Sequence, residues 1–131
     1  KLAASYDPYG KTIHLHPFTR HPEQYYRATD ILVCASFNET FPLVILEGMA
    51  YGLPIVSARV YGIVEQLEDG ESGLFFQPGN GSDCAEKLGM LIGDADLRKE
   101  LSSKAFHRVR TLFPLERMAA SYWELFQSVR P

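Results

Sequence analysis

Glu39-Thr40-Phe41-Pro42-Leu43-Val44-Ile45-Leu46-Glu47-Gly48-Met49-Ala50-Tyr51-Gly52-Leu53-Pro54 is the stretch that decides the fold, because it predicts a helix between two strands. Pro42 favours the first position of that helix, and Gly52 favours its end. The apolar residues 31–35 before it and 55–57 after it form continuous runs, as strands buried on both faces do. The stretch therefore predicts a strand–helix–strand unit.

The same alternation of strands and helices extends over most of the chain. Residues 12–16 and 74–76 predict two further strands, and residues 22–28, 63–67 and 114–129 predict helices. Ser82 and Asp94 are predicted to cap two more helices. The buried face of the helix after Asp94 is predicted to hold Leu97, Leu101 and Ala105, and that of the helix after Pro42 to hold Leu43, Leu46, Met49 and Ala50.

Alternating strands and helices predict the α/β fold class, with a Rossmann-like parallel sheet flanked by helices. Such sheets bind ligands in the crevice beyond the carboxyl ends of their strands. The loops at that edge are predicted to be residues 17–21, 36–42 and 58–63. Glu39 lies in the middle one of these three loops.

The bulk composition excludes several classes of protein. The chain has 131 residues, of which 46% are hydrophobic and 22% charged, which is typical of one globular domain. A net charge of −3 gives no broad basic surface for nucleic acid. The apolar runs are too short to span a membrane, and no secretory signal opens the chain. Cys34 and Cys84 are predicted to be reduced structural thiols, which favours an intracellular location.

The two glutamates of the opening stretch suit a particular kind of ligand. Glu39 and Glu47 have seven residues between them, with the start of a helix in the interval. Ionised carboxylates accept hydrogen bonds from hydroxyl groups, and the free amides of a helix start attract anions. This arrangement favours a ligand that carries both, such as a sugar nucleotide.

The opening stretch resembles the signature of the retaining GT-B glycosyltransferases of family four, the glycosyl transferases group 1. Further short patterns follow in the family's order at Gly62, Glu65, Asp69-Gly70, Gly73-Leu74-Phe75 and Pro78-Gly79. The resemblance covers residues 12–129. It implies that residues 1–131 are the C-terminal, donor-binding half of a GT-B fold, with the N-terminal acceptor domain absent from this chain.

The resemblance also implies roles for individual residues. Glu39 matches the residue that contacts the donor sugar beside the reacting centre, and Glu47 matches the one that accepts the ribose hydroxyls. The intervening donor-binding positions are Thr40, Phe41, Pro42, Leu43 and Val44, where Pro42 offers no amide. Phe18 and Thr19 match the loop that approaches the base. The implied reaction transfers a sugar from a nucleotide diphosphate sugar to a hydroxyl with retained configuration, and the protein binds no metal or other cofactor for it.

This chain departs from the family pattern at three places. The basic segment that contacts the diphosphate in relatives does not precede residue 12 here. His16-Pro17-Phe18 occupies the loop where relatives often have a glycine. Tyr61-Gly62 occupies the position where many relatives have Gly-Gly. We therefore expect half of an active site, which binds a sugar nucleotide weakly and is inactive alone. We expect a UDP-sugar donor, a glycan or lipid-linked acceptor held by the other domain, and a cytoplasmic enzyme of polysaccharide or lipopolysaccharide synthesis, with membrane contact only through that domain.

Two other functions remain open at this point. One is a sugar-nucleotide epimerase or hydrolase of the same architecture, and the other is a nucleotide-binding module without chemistry. A metal site at His14, His16 and His21 is also conceivable, although surface or core histidines are the better interpretation. The aromatic residues Tyr25, Tyr26, Tyr122 and Trp123 are predicted to pack rather than to bind a base or a sugar.

Overall fold

The computed structural model describes residues 5–129. Its strands are β1 (Leu32–Cys34), β2 (Ile55–Ala58) and β3 (Leu74–Phe76), and they form a three-stranded parallel sheet in the order β1-β2-β3. Its helices are α1 (Glu23–Ala28), α2 (Leu43–Ala50), α3 (Ile63–Gln66), α4 (Gly81–Gly93), α5 (Ala95–Leu112) and α6 (Leu115–Ser128). The α/β class and the parallel sheet flanked by helices are therefore confirmed.

The sheet places β2 at its centre. Leu32 pairs with Ile55 on one side of β2, and Val56 pairs with Leu74 on the other. All four residues of β2 are buried, as the apolar run predicted. The prediction of burial on both faces was wrong for β1, where Val33 is 40% exposed. Among the described residues β1 is an edge strand, so its apolar run is only partly covered.

Helix α2 packs on α5 and on β2. Its buried residues are Ile45, Gly48 and Met49, whereas Leu43 is 68% exposed. The predicted stripe was therefore wrong at Leu43 and at Ala50, which is also exposed. Gly48 explains the shift, because its missing side chain admits the Leu32 Cδ2 atom to 2.4 Å from where a Cβ would stand.

Helix α2 ends at a left-handed glycine, as predicted. Gly52 has φ +69°. Its N–H donates to the Met49 carbonyl at 3.0 Å, and the Leu53 N–H donates to the Gly48 carbonyl at 3.0 Å. These two bonds form a Schellman motif, which satisfies the last carbonyls of the helix and turns the chain into β2.

Two helix caps test the predicted starts of α4 and α5. Asp94 accepts a hydrogen bond from the Leu97 N–H at 2.9 Å, which confirms the predicted cap of α5. For α4 the prediction of Ser82 was wrong, because the Asn80 side chain accepts from the Asp83 N–H at 3.1 Å. Asparagine is as good a cap as serine, and the helix begins earlier where Asn80 offers it.

The predicted strand at residues 12–16 is not formed. Its Leu15 is 80% exposed. The Asp7 carboxylate accepts hydrogen bonds from the Thr12 and Ile13 N–H groups, each at 2.7 Å, and fixes the start of this segment in a turn. These two bonds also lower the pKa of Asp7 to about 2. Alternation alone therefore predicted a strand where no neighbour in the described sheet pairs with it.

Helix α6 confirms the predicted helix at the end of the chain, although none of its residues is buried in the described structure. Its exposed apolar side chains are Leu115, Met118, Tyr122, Trp123, Leu125 and Phe126. No helix in the described part of the chain combines the length and the apolar character needed to cross a bilayer.

Candidate functional site

The loops that follow β1 and β2 meet at the carboxyl edge of the sheet. The Gly62 N–H donates to the Glu39 carbonyl at 3.4 Å. A Cβ atom at Gly62 would lie only 1.1 Å from the carbonyl oxygen of Thr40. Position 62 therefore has to lack a side chain, because the backbone of the predicted donor-binding segment passes directly over it.

Glu39 lies in the loop between β1 and α2, where it is partly buried. Its Oε1 atom accepts a hydrogen bond from the Ser36 hydroxyl at 2.8 Å. The hydroxyl fixes one oxygen of the carboxylate, and a carboxylate has about four acceptor positions in all. Glu39 thus retains capacity to accept further hydrogen bonds from a bound ligand.

The amino end of α2 has no side-chain cap. Pro42 occupies the N-cap position, with φ −70° and ψ 131°, rather than the first helical position that the sequence predicted. An extended residue before the helix is compatible with proline, whose φ is fixed near this value. In the absence of a cap, the Leu43 and Val44 amides at this helix start are available to an anion.

A fully buried glutamine on α3, Gln66, hydrogen-bonds the backbone at this helix start. The Gln66 Nε2 atom donates to the Pro42 carbonyl at 3.1 Å. Its Oε1 atom is buried and finds no hydrogen-bond partner within residues 5–129. Phe41, beside Pro42, packs edge-on against Phe113 at 5.6 Å between ring centroids. Together these contacts hold the backbone of residues 41 and 42 from α3 and from the end of α5.

Glu47 lies on α2 with its side chain exposed, and it has a partner that the sequence did not predict. The Tyr26 hydroxyl on α1 donates to Glu47 Oε2 at 2.5 Å. Burial, and then the hydrogen bond to Glu47, raise the pKa of Tyr26 above its ordinary value. The tyrosine is therefore neutral, and a hydrogen-bond donor, across the physiological range.

The two residues predicted to contact the base, Phe18 and Thr19, lie outside the sheet and its strand-end loops. Phe18 is 90% exposed, and Thr19 accepts a hydrogen bond from the His21 N–H at 3.0 Å. Both lie in an irregular segment rather than after a strand, so the expectation that residues 17–21 form a strand-end loop was wrong.

No set of three His, Cys, Asp or Glu side chains in the described structure is arranged to hold a metal ion. Cys34 and Cys84 are free thiols.

Two residues of the site had no usable sequence signal. Tyr26 and Glu47 are 21 residues apart on different helices, and nothing in their spacing predicts the contact. Gln66 and Pro42 are 24 residues apart, and a glutamine in a helix is ordinarily exposed. Only the three-dimensional arrangement of α1, α2 and α3 identifies them.

Comparison with known proteins identifies a family and individual proteins that this chain is similar to. The model of the family described as "Glycosyl transferases group 1" matches residues 1–108. The chain is 36% identical over 102 residues to the D-inositol 3-phosphate glycosyltransferase of Streptomyces bingchenggensis, a match that covers 78% of this chain and 22% of the relative.

Two solved structures show the same fold. HepE of Anabaena, determined in complex with UDP, has a TM-score of 0.81 and 26% identity over 86% of this chain and 31% of its own. The C-terminal domain of LpcC from Francisella tularensis, a glycosyl transferase group 1 family protein, has a TM-score of 0.75 and 29% identity over 87% of this chain and 60% of its own. The fold is that of GT-B glycosyltransferases, and the chain spans about a quarter of the curated relatives it matches.

Proposed function

The chain belongs to the glycosyl transferases group 1 family, and we propose that it is the C-terminal, donor-binding domain of a retaining glycosyltransferase. The intact enzyme would transfer a sugar from a nucleotide diphosphate sugar to a hydroxyl acceptor. The similarity to the solved C-terminal domain of LpcC supports the position within the longer protein. The similarity to HepE, whose structure holds UDP, supports a uridine nucleotide as the donor's leaving group.

One observation carries the proposal: the uncapped amino end of α2 directly follows the loop that holds Glu39 at the carboxyl edge of the sheet, and Glu47 lies about one turn further along the same helix. An anion at this end would meet the Leu43 and Val44 amides and the positive end of the helix dipole. Asn80 and Asp94 cap α4 and α5 with their own oxygen atoms, whereas α6, like α2, begins after a proline without a side-chain cap. The position of α2 at the carboxyl edge of the sheet therefore supports the assignment together with its missing cap. We assign the diphosphate of the donor to the start of α2. The backbone of Thr40, Phe41 and Pro42 is proposed to contact the donor next to the diphosphate.

The two glutamates take the hydroxyl groups of the donor. Glu47, on the exposed side of α2, accepts the ribose hydroxyls, and Glu39, in the loop before it, accepts hydroxyls of the sugar. Phe18 and Thr19 are assigned to the base. As the glycosidic bond breaks, positive charge builds on the sugar and negative charge on the leaving phosphate, so fixed donors at the phosphate lower the barrier. Glu39 orients the donor and stabilises the cationic sugar.

The acceptor and the diphosphate's basic contacts belong to parts of the enzyme outside this chain. We propose a glycan or lipid-linked acceptor, and a role in bacterial polysaccharide or lipopolysaccharide synthesis on the cytoplasmic side of the membrane. Product analysis with a longer polypeptide that contains this chain tests the reaction class. Sugar transfer only in the presence of a hydroxyl acceptor supports a transferase, whereas hydrolysis or epimerisation without an acceptor contradicts it.

Calorimetric titration of the 131-residue chain with UDP and UDP-glucose tests the site itself. We expect weak binding of both. Glu47→Ala should weaken both ligands, and Glu39→Ala should weaken UDP-glucose more than UDP. A charge-assisted hydrogen bond contributes about 1.5–3 kcal/mol, which is about a tenfold to hundredfold change in Kd.

Glu86→Ala is the matched control, because Glu86 is an exposed carboxylate on α4 whose ion-pair partner is the neighbouring Lys87, at 3.3 Å. It should leave both dissociation constants unchanged. The assignment is wrong if the Glu39 and Glu47 variants bind both ligands as tightly as this control does.

A further inference from the structure

The contact between Tyr26 and Glu47 joins two helices through a single hydroxyl group. Tyr26 lies on α1 and donates to Glu47 Oε2 at 2.5 Å. Its ring stacks on the Tyr51 ring at the end of α2, with centroids 5.2 Å apart and planes 20° apart. The Arg27 guanidinium lies 5.7 Å from the centroid of the Tyr51 ring. Packing of the rings therefore positions the Tyr26 hydroxyl independently of its hydrogen bond to Glu47.

A glutamate on the exposed face of a helix otherwise samples many rotamers. Binding a ligand through it requires that this freedom be lost, and the loss weakens binding. The Tyr26 hydroxyl restricts the side chain in advance and uses one acceptor position of the carboxylate. Further acceptor positions remain on the two oxygen atoms of Glu47 for hydroxyl groups of a ligand.

We propose that Tyr26 is a positioning residue, which holds the Glu47 carboxylate in the orientation that receives the ribose hydroxyls of the nucleotide donor. This inference rests on the proposed function, because it assigns Tyr26 to the same site. It makes the Tyr26–Glu47 pair the element that selects ribonucleotides over deoxyribonucleotides. Tyr26 itself does not contact the reacting atoms.

Tyr26→Phe tests the proposal, since it removes the hydroxyl and keeps the ring that stacks on Tyr51. The probes are UDP and 2′-deoxy-UDP, titrated against the 131-residue chain. In the wild-type chain UDP should bind about tenfold more tightly than 2′-deoxy-UDP. In Tyr26→Phe the affinity for UDP should fall several-fold, and that for 2′-deoxy-UDP, which keeps one of the two ribose hydroxyls, should fall less, so the preference for ribose is reduced.

Tyr25→Phe is the matched control on the same helix. The Tyr25 hydroxyl contacts His16 Nδ1 at 3.3 Å and has no contact with Glu47. This variant should keep the wild-type preference for UDP. A second measurement adds Tyr26→Phe to Glu47→Ala, where the tyrosine change should have no further effect on UDP affinity because its partner is absent.

The outcomes separate this inference from the proposed function. A wild-type chain that binds neither nucleotide contradicts both. A wild-type chain that binds UDP and 2′-deoxy-UDP equally, or a Tyr26→Phe variant that keeps the ribose preference, overturns only the role of Tyr26. An equal loss of both nucleotides in Tyr26→Phe also overturns it, since that result indicates a structural contact between α1 and α2.

Discussion

Replacement of Gly62 by alanine should destabilise the protein by forcing two loops apart. The backbone of Gly62 has φ −63° and ψ −16°, which alanine adopts without strain. The cost therefore comes from packing alone. A Cβ atom at this position would lie 1.1 Å from the Thr40 oxygen, 2.2 Å from the Thr40 carbonyl carbon and 3.0 Å from the Phe41 nitrogen.

The expected magnitude follows from the rigidity of what the new atom meets. Thr40 contributes backbone atoms here, which cannot rotate away as the end of a long side chain could. The loops would have to separate by about 2 Å, and overpacking of this kind costs about 1–3 kcal/mol or more. We expect Gly62→Ala to lose about 3 kcal/mol, a large part of the 5–15 kcal/mol that a domain typically has.

Urea unfolding followed by circular dichroism measures this loss. Gly89→Ala is the control, because Gly89 lies in the middle of α4 and a Cβ there meets no atom within 4 Å apart from the nearby backbone of its own helix. It should stabilise the protein by about 1 kcal/mol through helix propensity. The reasoning is refuted if Gly62→Ala unfolds within about 0.5 kcal/mol of the wild type, since the loops would then have room for a side chain.

Two further predictions concern other elements. Asp94→Ala should remove the cap of α5 and lower the free energy of unfolding by about 1 kcal/mol in urea titrations, whereas Asp94→Asn should retain most of the stability. The raised pKa of Tyr26 means that the folded state keeps a proton that the unfolded chain releases above about pH 10. The contribution of Tyr26 to stability is therefore complete below that pH and declines above it. The unfolding midpoint should fall more between about pH 9 and pH 11 in the wild type than in Tyr26→Phe, and an equal fall in both would contradict the shift.

The sequence predicted most of the fold because its signals are local. Gly52 ends α2 and Asp94 begins α5 through contacts with residues a few positions away. The pattern of residues 12–16 failed because alternation does not say whether a neighbouring strand is present. The apolar stripe of α2 failed at Leu43 because Gly48 allows Leu32 to come close and sets which side of the helix faces the sheet.

The candidate site was predictable only in part for the same reason. Glu39 and Glu47 stand out in the sequence because a strand and a helix start frame them. Tyr26, Gln66 and the exclusion of a side chain at Gly62 depend on contacts between segments that are far apart along the chain. Neither the composition nor the residue spacing of a sequence predicts such contacts.

The central position of β2 has a consequence for how this molecule opens. Its backbone is paired on both sides and all its residues are buried, so its amides should exchange with deuterated solvent only when the whole domain unfolds. Helix α1 has no buried residue, and its amides should exchange through small local fluctuations. Exchange at Ile55–Ala58 would thus measure the global free energy of unfolding in native buffer, while exchange in α1 would measure how firmly the helix that carries Tyr26 is held.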